Sequence, residues 1–133
     1  GKAQIFAAGT DVSIFACGHM VWKAIEAGKI LQEKGVSVEI INIHTIKPVD
    51  TEAILQSIRK TRCAVTAEEH NIIGGLGDTI AQVAAKNFPI PIEYVGTRDT
   101  FGESGTPTQL LQKYGLDTPN IVEAAEKVMS RKS

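Results

Sequence analysis

Four short apolar runs recur along the chain, and each is followed by a segment whose apolar residues return at helical spacing. Val12 to Cys17 (VSIFAC) hands over at Gly18 to a stretch with Val21, Ala24, Ile25, Gly28 and Leu31 on one face. Val36 to Ile43 (VSVEIINI) leads past Pro48 and Asp50 into a helix over Thr51 to Lys60, with Ile54, Leu55 and Ile58 inward. Ala64 and Val65 pass through Glu68, Glu69 and His70 into a glycine turn and then a helix carrying Ile80, Val83 and Ala84. Ile90 to Val95 is followed by helix starts at Thr106 and Thr118, the second lined by Ile121, Val122, Ala125, Val128 and Met129. Strands alternating with helices predict an α/β fold, a three-layer α/β/α sandwich on a mainly parallel sheet, because right-handed crossovers put helices on both faces. With the parallel strands ordered second, first, third, fourth, the carboxyl ends of Val12–Cys17 and Ala64–Ala67 lie side by side. The crevice between them is bordered by Gly18, His19, Glu68 and His70.

Local signals sharpen the boundaries. Asp50 suits the N-cap of its helix, and Lys34 with Gly35 closes the first one, glycine being suited to a left-handed cap. Thr106, Pro107 and Gln109 open a helix that ends at Gly115, and Thr118 with Pro119 repeats the start signal. Pro91 confines the last strand to an edge. Ile5 to Ala8, closed by Gly9 and Asp11, reads as a short edge strand. Trp22, in the first turn of its helix, reads as a cover for a core edge or an interface in preference to a cofactor stack. Arg59, Lys60 and Arg62 could grip a phosphate, but cations at a helix carboxyl end are already favoured by the helix dipole.

A chain of 133 residues suits one domain (1–133) with no need of a disulfide or metal staple. A net charge of −1 without a basic stripe argues against nucleic acid as the main partner. No apolar run approaches the roughly 18 residues of a membrane span, and the amino end lacks the apolar core of a signal peptide, so the cytoplasm is the default location. The first residue is Gly1 and not methionine, which reads as a tag remnant or an excised part of something longer.

Function is to be sought at the carboxyl ends of the parallel strands, and the stretch Ala64 to Ala85 (AVTAEEHNIIGGLGDTIAQVAA) carries the relevant residues. Gly74, Gly75 and Gly77 allow positive φ and close backbone approach, and the helix start offers N–H groups to an anion. The candidate domain-contact or anion site is therefore Glu68, Glu69, His70, Gly74, Gly75 and Gly77, against the plainer alternative of a tight turn packing helix on sheet. Cys17, His19, Glu69 and His70 could be drawn together on paper as nucleophile, base and orienter, but no spacing motif binds them. Gly75 and Gly77 give only a partial nucleotide-turn pattern, with Ile80 where a third glycine belongs. Two cysteines and three histidines show no zinc-type spacing. No catalytic, cofactor-binding or metal-binding residue is assigned.

HTIKPVD (His44 to Asp50), TAEEHNIIGGLGDTI (Thr66 to Ile80) and FGESGTPTQLLQKYGL (Phe101 to Leu116) together resemble the carboxyl-terminal domain of transketolase, in order and spacing from Val12 to about Met129. 1-Deoxyxylulose-5-phosphate synthase and the β subunits of 2-oxoacid dehydrogenases share the domain and similar first two blocks; the third block favours transketolase. The resemblance implies a mixed five-stranded sheet whose first strand, around Gln4 to Phe6, runs antiparallel beside Val36 to Ile43. It implies a parent transferase of the pentose phosphate pathway, dimeric and cytoplasmic, moving two-carbon ketol units between sugar phosphates with thiamine diphosphate and Mg2+ (or Ca2+). That cofactor lies between two other domains at a subunit interface, so none is expected in this fragment, whose role is structural and whose partners are the remaining domains or a second subunit. Family members hold the diphosphate's metal through Gly-Asp-Gly and a later asparagine. Here Gly77, Asp78 and Thr79 lack the second glycine, and Asn87 and Asn120 fall at the wrong separations. The alternative to this family is an independent α/β module binding a nucleotide or other anion at Gly74 to Gly77.

Overall fold

The computed structural model describes residues 3–44, 49–68, 75–96 and 118–132. Its elements are β1 (Ala3–Ala7), β2 (Val12–Ala16), α1 (Met20–Glu33), β3 (Val38–Ile43), α2 (Thr51–Thr61), β4 (Ala64–Glu68), α3 (Leu76–Asn87), β5 (Ile92–Gly96) and α4 (Thr118–Ser130). The helix expected from Thr106 to Gly115, the loop to Gly105, and Glu69, His70 and Gly74 lie outside the described residues.

The strands form one sheet in the order β1-β3-β2-β4-β5. β2 pairs in parallel with β3 and β4, and β4 with β5, so the expected order of the parallel strands holds. β1 runs antiparallel to β3, with Ala3 opposite Ile43 and Ile5 opposite Ile41. All five residues of β2 and of β4 are buried, as in parallel strands covered on both faces, and neither shows the strict polar–apolar alternation of a strand with one face in water. Ile14, Ala16, Val38, Ile40, Val65 and Ala67 pack under α1 and α4 with Met20, Ala24, Leu31, Ile121 and Val128. Phe15, Ile41, Ile43 and Ala64 pack on the other face under α2 and α3 with Ile54, Ile58, Leu76 and Ile80. These are the two cores of a three-layer sandwich.

The element ends differ from the expected ones where a backbone group is needed elsewhere. β3 begins at Val38 because the Val36 N–H closes α1 onto the Leu31 carbonyl (3.0 Å) and Ser37 exchanges bonds with Asp11. β5 begins at Ile92 because Pro91 has no N–H to give the ladder, though its carbonyl accepts from Ala64 N at 3.1 Å. Lys34 is the C-cap of α1, one position beyond the last turn, and Gly35 follows at φ +84°. Asp50 caps α2 as expected, accepting from Ala53 N at 3.1 Å, and its other oxygen accepts from Ala3 N at 3.1 Å, so one carboxylate also ties down the start of β1. Trp22 is 69% exposed and does not cover the described core.

Cys17 packs against the core under α2 and α3, whereas Cys63 is buried in the core under α1 and α4. The sheet separates them, no disulfide joins them, and burial pushes the Cys63 thiol up, Lys132 and Asp11 pulling in opposite directions. Titration of the unfolded, unreduced protein with a thiol reagent is expected to count two thiols; a count of zero would contradict this arrangement.

Candidate functional site

Glu68, the last residue of β4, is 4% exposed. Its carboxylate reaches across to the start of α3, where Oε1 accepts from Leu76 N at 3.1 Å and Oε2 from Gly77 N at 2.7 Å. The N-cap of α3 is Gly75, which has no side chain to offer, so Glu68 supplies from the strand the acceptor oxygens that a capping side chain usually supplies at the helix start.

The glycines make this possible by the room they leave, not by positive φ. Gly75 is extended at φ −99°, ψ −152°, and a Cβ there would stand 2.2 Å from Glu68 Oε1. A Cβ on Gly77 would stand 2.8 Å from Tyr94 Cδ1 and 3.3 Å from Thr66 Oγ1, so this glycine lets α3 settle closely onto β4 and β5. The Thr79 hydroxyl completes the first turn by donating to the Gly75 carbonyl at 3.1 Å. Asp78 lies in the same turn, where the helix dipole accounts for an acid.

β2 and β4 run side by side through the Ala16–Ala67 pair, so the rim expected from the sequence is partly assembled. Cys17 (half-buried), Gly18 (φ +60°) and His19 (exposed) stand at the end of β2, and Glu68 and Gly75 at the end of β4. Among the described residues, no three His, Cys, Asp or Glu side chains converge as a metal site. The N–H groups of Leu76 and Gly77, which an external anion would use, are engaged by Glu68. Of the six candidate residues, the structure brings together Glu68, Gly75 and Gly77.

A second polar cluster, not anticipated from the sequence, sits at the opposite, amino-terminal ends of the strands. Glu39 is 2% exposed; it pairs with Lys60 and accepts from Gly9 N at 3.1 Å. Ser13 Oγ lies 2.6 Å from both Ser57 Oγ and Thr61 Oγ1. Burial alone would raise the Glu39 carboxyl, but bonds from Lys60, Ser57 and Gly9 outweigh it and hold it below the usual carboxylate range. Lys132 donates to the carbonyls of Asp11 (2.8 Å) and Thr61 (3.1 Å), fastening the carboxyl-terminal end of the chain beside this cluster. The one sequence signal is a glutamate among the apolar residues Val38, Ile40 and Ile41 of β3, since a buried acid requires a cation or donors within reach.

A sheet of this order, with helices on both faces and its polar crevice at the switch between β2 and β4, defines an α/β domain of the doubly wound class. Residues 1–121 match the family described as "Transketolase, C-terminal domain", and the chain belongs to that family. It is 45% identical over 133 residues to the 6-deoxy-6-sulfo-D-fructose transketolase subunit SqwH of Clostridium sp. (strain MSTE9), covering 100% of this chain and 41% of that protein. It is 42% identical over 132 residues to a putative transketolase C-terminal section of Methanocaldococcus jannaschii, covering 98% of this chain and 41% of that protein. A 1-deoxy-D-xylulose-5-phosphate synthase of Geobacter sulfurreducens is 37% identical over 134 residues, with 99% of this chain and 21% of that protein covered. Among solved structures, one described as "Split gene transketolase, inactive beta4 tetramer" superposes with a TM-score of 0.95 at 42% identity, over 99% of this chain and 43% of that one. The chain thus spans about two fifths of the length of the first relatives it matches. No helix among the described residues is long and apolar enough to cross a membrane.

Proposed function

We propose that the chain is the carboxyl-terminal domain (1–133) of a longer thiamine-diphosphate enzyme of transketolase type. It serves there as scaffold and assembly surface, while the chemistry is carried by the remaining domains or a second subunit. The parent is a cytoplasmic, dimeric enzyme of the pentose phosphate pathway that moves two-carbon ketol units between sugar phosphates. The observation that carries this reading is the engagement of α3's first N–H groups by Glu68, because it leaves the glycine turn filled by the chain's own carboxylate. An incoming diphosphate would have to displace that carboxylate from the Leu76 and Gly77 N–H groups, and Asp78, in the first turn of α3, is already favoured there by the helix dipole. The same point disfavours an independent anion-binding module. The relatives named for sulfofructose, for apulose-4-phosphate and for deoxyxylulose phosphate synthesis share the domain at 45%, 37% and 37% identity, which suits a part that does not choose the substrate. Glu68, Glu69, His70, Gly74, Gly75 and Gly77 are proposed as the rim that faces a neighbouring domain, with Glu68 ordering it from within.

A thermal melt of the 133-residue chain with and without millimolar thiamine diphosphate and Mg2+ tests the reading. A ligand held by the native state at a hundredfold its dissociation constant adds about 2.7 kcal/mol and must raise the melting temperature. No shift is expected; a rise of several degrees, or ketol transfer by the purified chain, would place the cofactor site in this domain after all.

A further inference from the structure

We infer that the open edge of β1 and the cleft beside it are the seat of the polypeptide that precedes Gly1 in the longer enzyme; this rests on the reading of the chain as part of such an enzyme. β1 stands at the margin of the sheet, hydrogen-bonded to β3 on one side. Its sequence, AQIFA, holds no charge and no proline, two of the devices that keep an exposed edge from pairing. Ile5 is 61% and Phe6 49% exposed. The register shifts between Ile5 and Ala7, so that Ala7 falls opposite Ile40; this bulge returns Ala7 to the core under α1 and leaves Phe6 outside the regular ladder.

Phe6 thereby lines a cleft of about 320 Å³ whose walls include Ile25 and Gly28 of α1 and Val38 and Ile40 of β3, with Lys29 and Gln32 also on its lining. An unpaired strand edge next to an apolar cleft is the arrangement by which a sheet takes up an extended segment: the backbone pairs along the edge and alternate side chains enter the cleft. The regular part of the edge, Ala3 to Ile5, offers the pairing, and the bulge sets the cleft at its end.

The occupant follows from connectivity. The relatives are longer, this chain covering 41% of each of the first two, and β1 begins at Ala3. Polypeptide joined ahead of Gly1 is tethered within two residues of the edge, at an effective concentration in the millimolar range for a short linker. A second copy or an unrelated peptide has no such advantage.

The test compares Phe6→Glu and Ile5→Lys in the 133-residue chain and in the longer enzyme. In the chain, both replace exposed side chains and are expected to leave the melting temperature within about 2 °C of wild type. In the longer enzyme each is expected to lower the melting temperature by about 5 °C or more. Amide exchange at Ala3 to Ala7 is expected to slow about tenfold or more in the longer enzyme relative to the chain, with β2 unchanged. Equal melting of variant and wild-type longer enzyme overturns the assignment alone. Self-association of the 133-residue chain that Ile5→Lys abolishes assigns the edge to a second copy and also overturns it. A native protein whose intact mass equals that of the 133-residue chain overturns both the occupant and the longer-enzyme reading.

Discussion

Glu68→Ala is expected to destabilise the domain by about 3 kcal/mol, the value of two hydrogen bonds to a charged acceptor less what entering water restores. The carboxylate is buried at the end of β4, its two donors are the first N–H groups of α3, and Gly75 has no side chain to replace it. For a domain of this size, that loss corresponds to a fall of roughly 10 °C in melting temperature. Gly75→Ala attacks the same contact from the other side, because its Cβ would stand 2.2 Å from Glu68 Oε1 and must displace the carboxylate. The two substitutions therefore share one interaction, and the double variant should cost little more than the worse single one. Chemical denaturation of the four proteins of this cycle is the measurement. Strict additivity, or a cost for Glu68→Ala below about 0.5 kcal/mol, would show that the carboxylate does not hold the helix start.

The same contact shows how far the sequence could be read. A glutamate at a strand end, followed by glycines and a helix, reads either as an anion or domain-contact site or as a tight turn packing helix on sheet; in the structure the acceptor at the helix start is the Glu68 carboxylate. What the residues did not disclose is that the anion is the chain's own. Glu68 and Leu76 stand at the ends of β4 and α3, and their meeting depends on how α3 lies on the sheet, which no local propensity encodes. Elements governed by short-range rules were legible. Asp50 caps its helix because a carboxylate three residues ahead of an N–H needs only local geometry. Right-handed crossovers put helices on both faces of the parallel strands, and Pro91, just before β5, lacks the N–H that a ladder needs. The antiparallel β1 came from family resemblance; its apolar patch alone reads only as a possible strand. Ser13, Ser57, Thr61 and Glu39 come from β2, α2 and β3, and their meeting depends on how α2 lies across the sheet. Trp22 shows the converse case, since a helical position near the core says nothing of how far an aromatic ring stands out from it, and this one is 69% exposed.

Glu39→Gln is expected to cost about 2 kcal/mol at neutral pH, and the cost is expected to vanish in acid. Glutamine keeps the shape of the side chain but loses the charge that Lys60 pairs with, and its amide must turn either a donor or a weaker acceptor toward Gly9 N. Lys60 is 43% exposed and can return to water, so the penalty stays below that of breaking a fully buried ion pair. The pH dependence has a definite sign. Burial by itself would raise the Glu39 carboxyl, but the bonds from Lys60, Ser57 and Gly9 win, so its folded pKa lies below that of the unfolded chain. A carboxylate lowered in this way contributes stability that is fully present above the ordinary glutamate value of about 4.3 and is lost as pH falls through the folded value. Other acids titrate in the same window, so the informative quantity is the difference between wild type and Glu39→Gln, measured by denaturant titration at a series of pH values. That difference should be constant from neutrality down to about pH 5 and then shrink. A difference that grows in acid, or that is already absent at pH 7, would mean that Glu39 is held by packing and not by the charge it shares with Lys60.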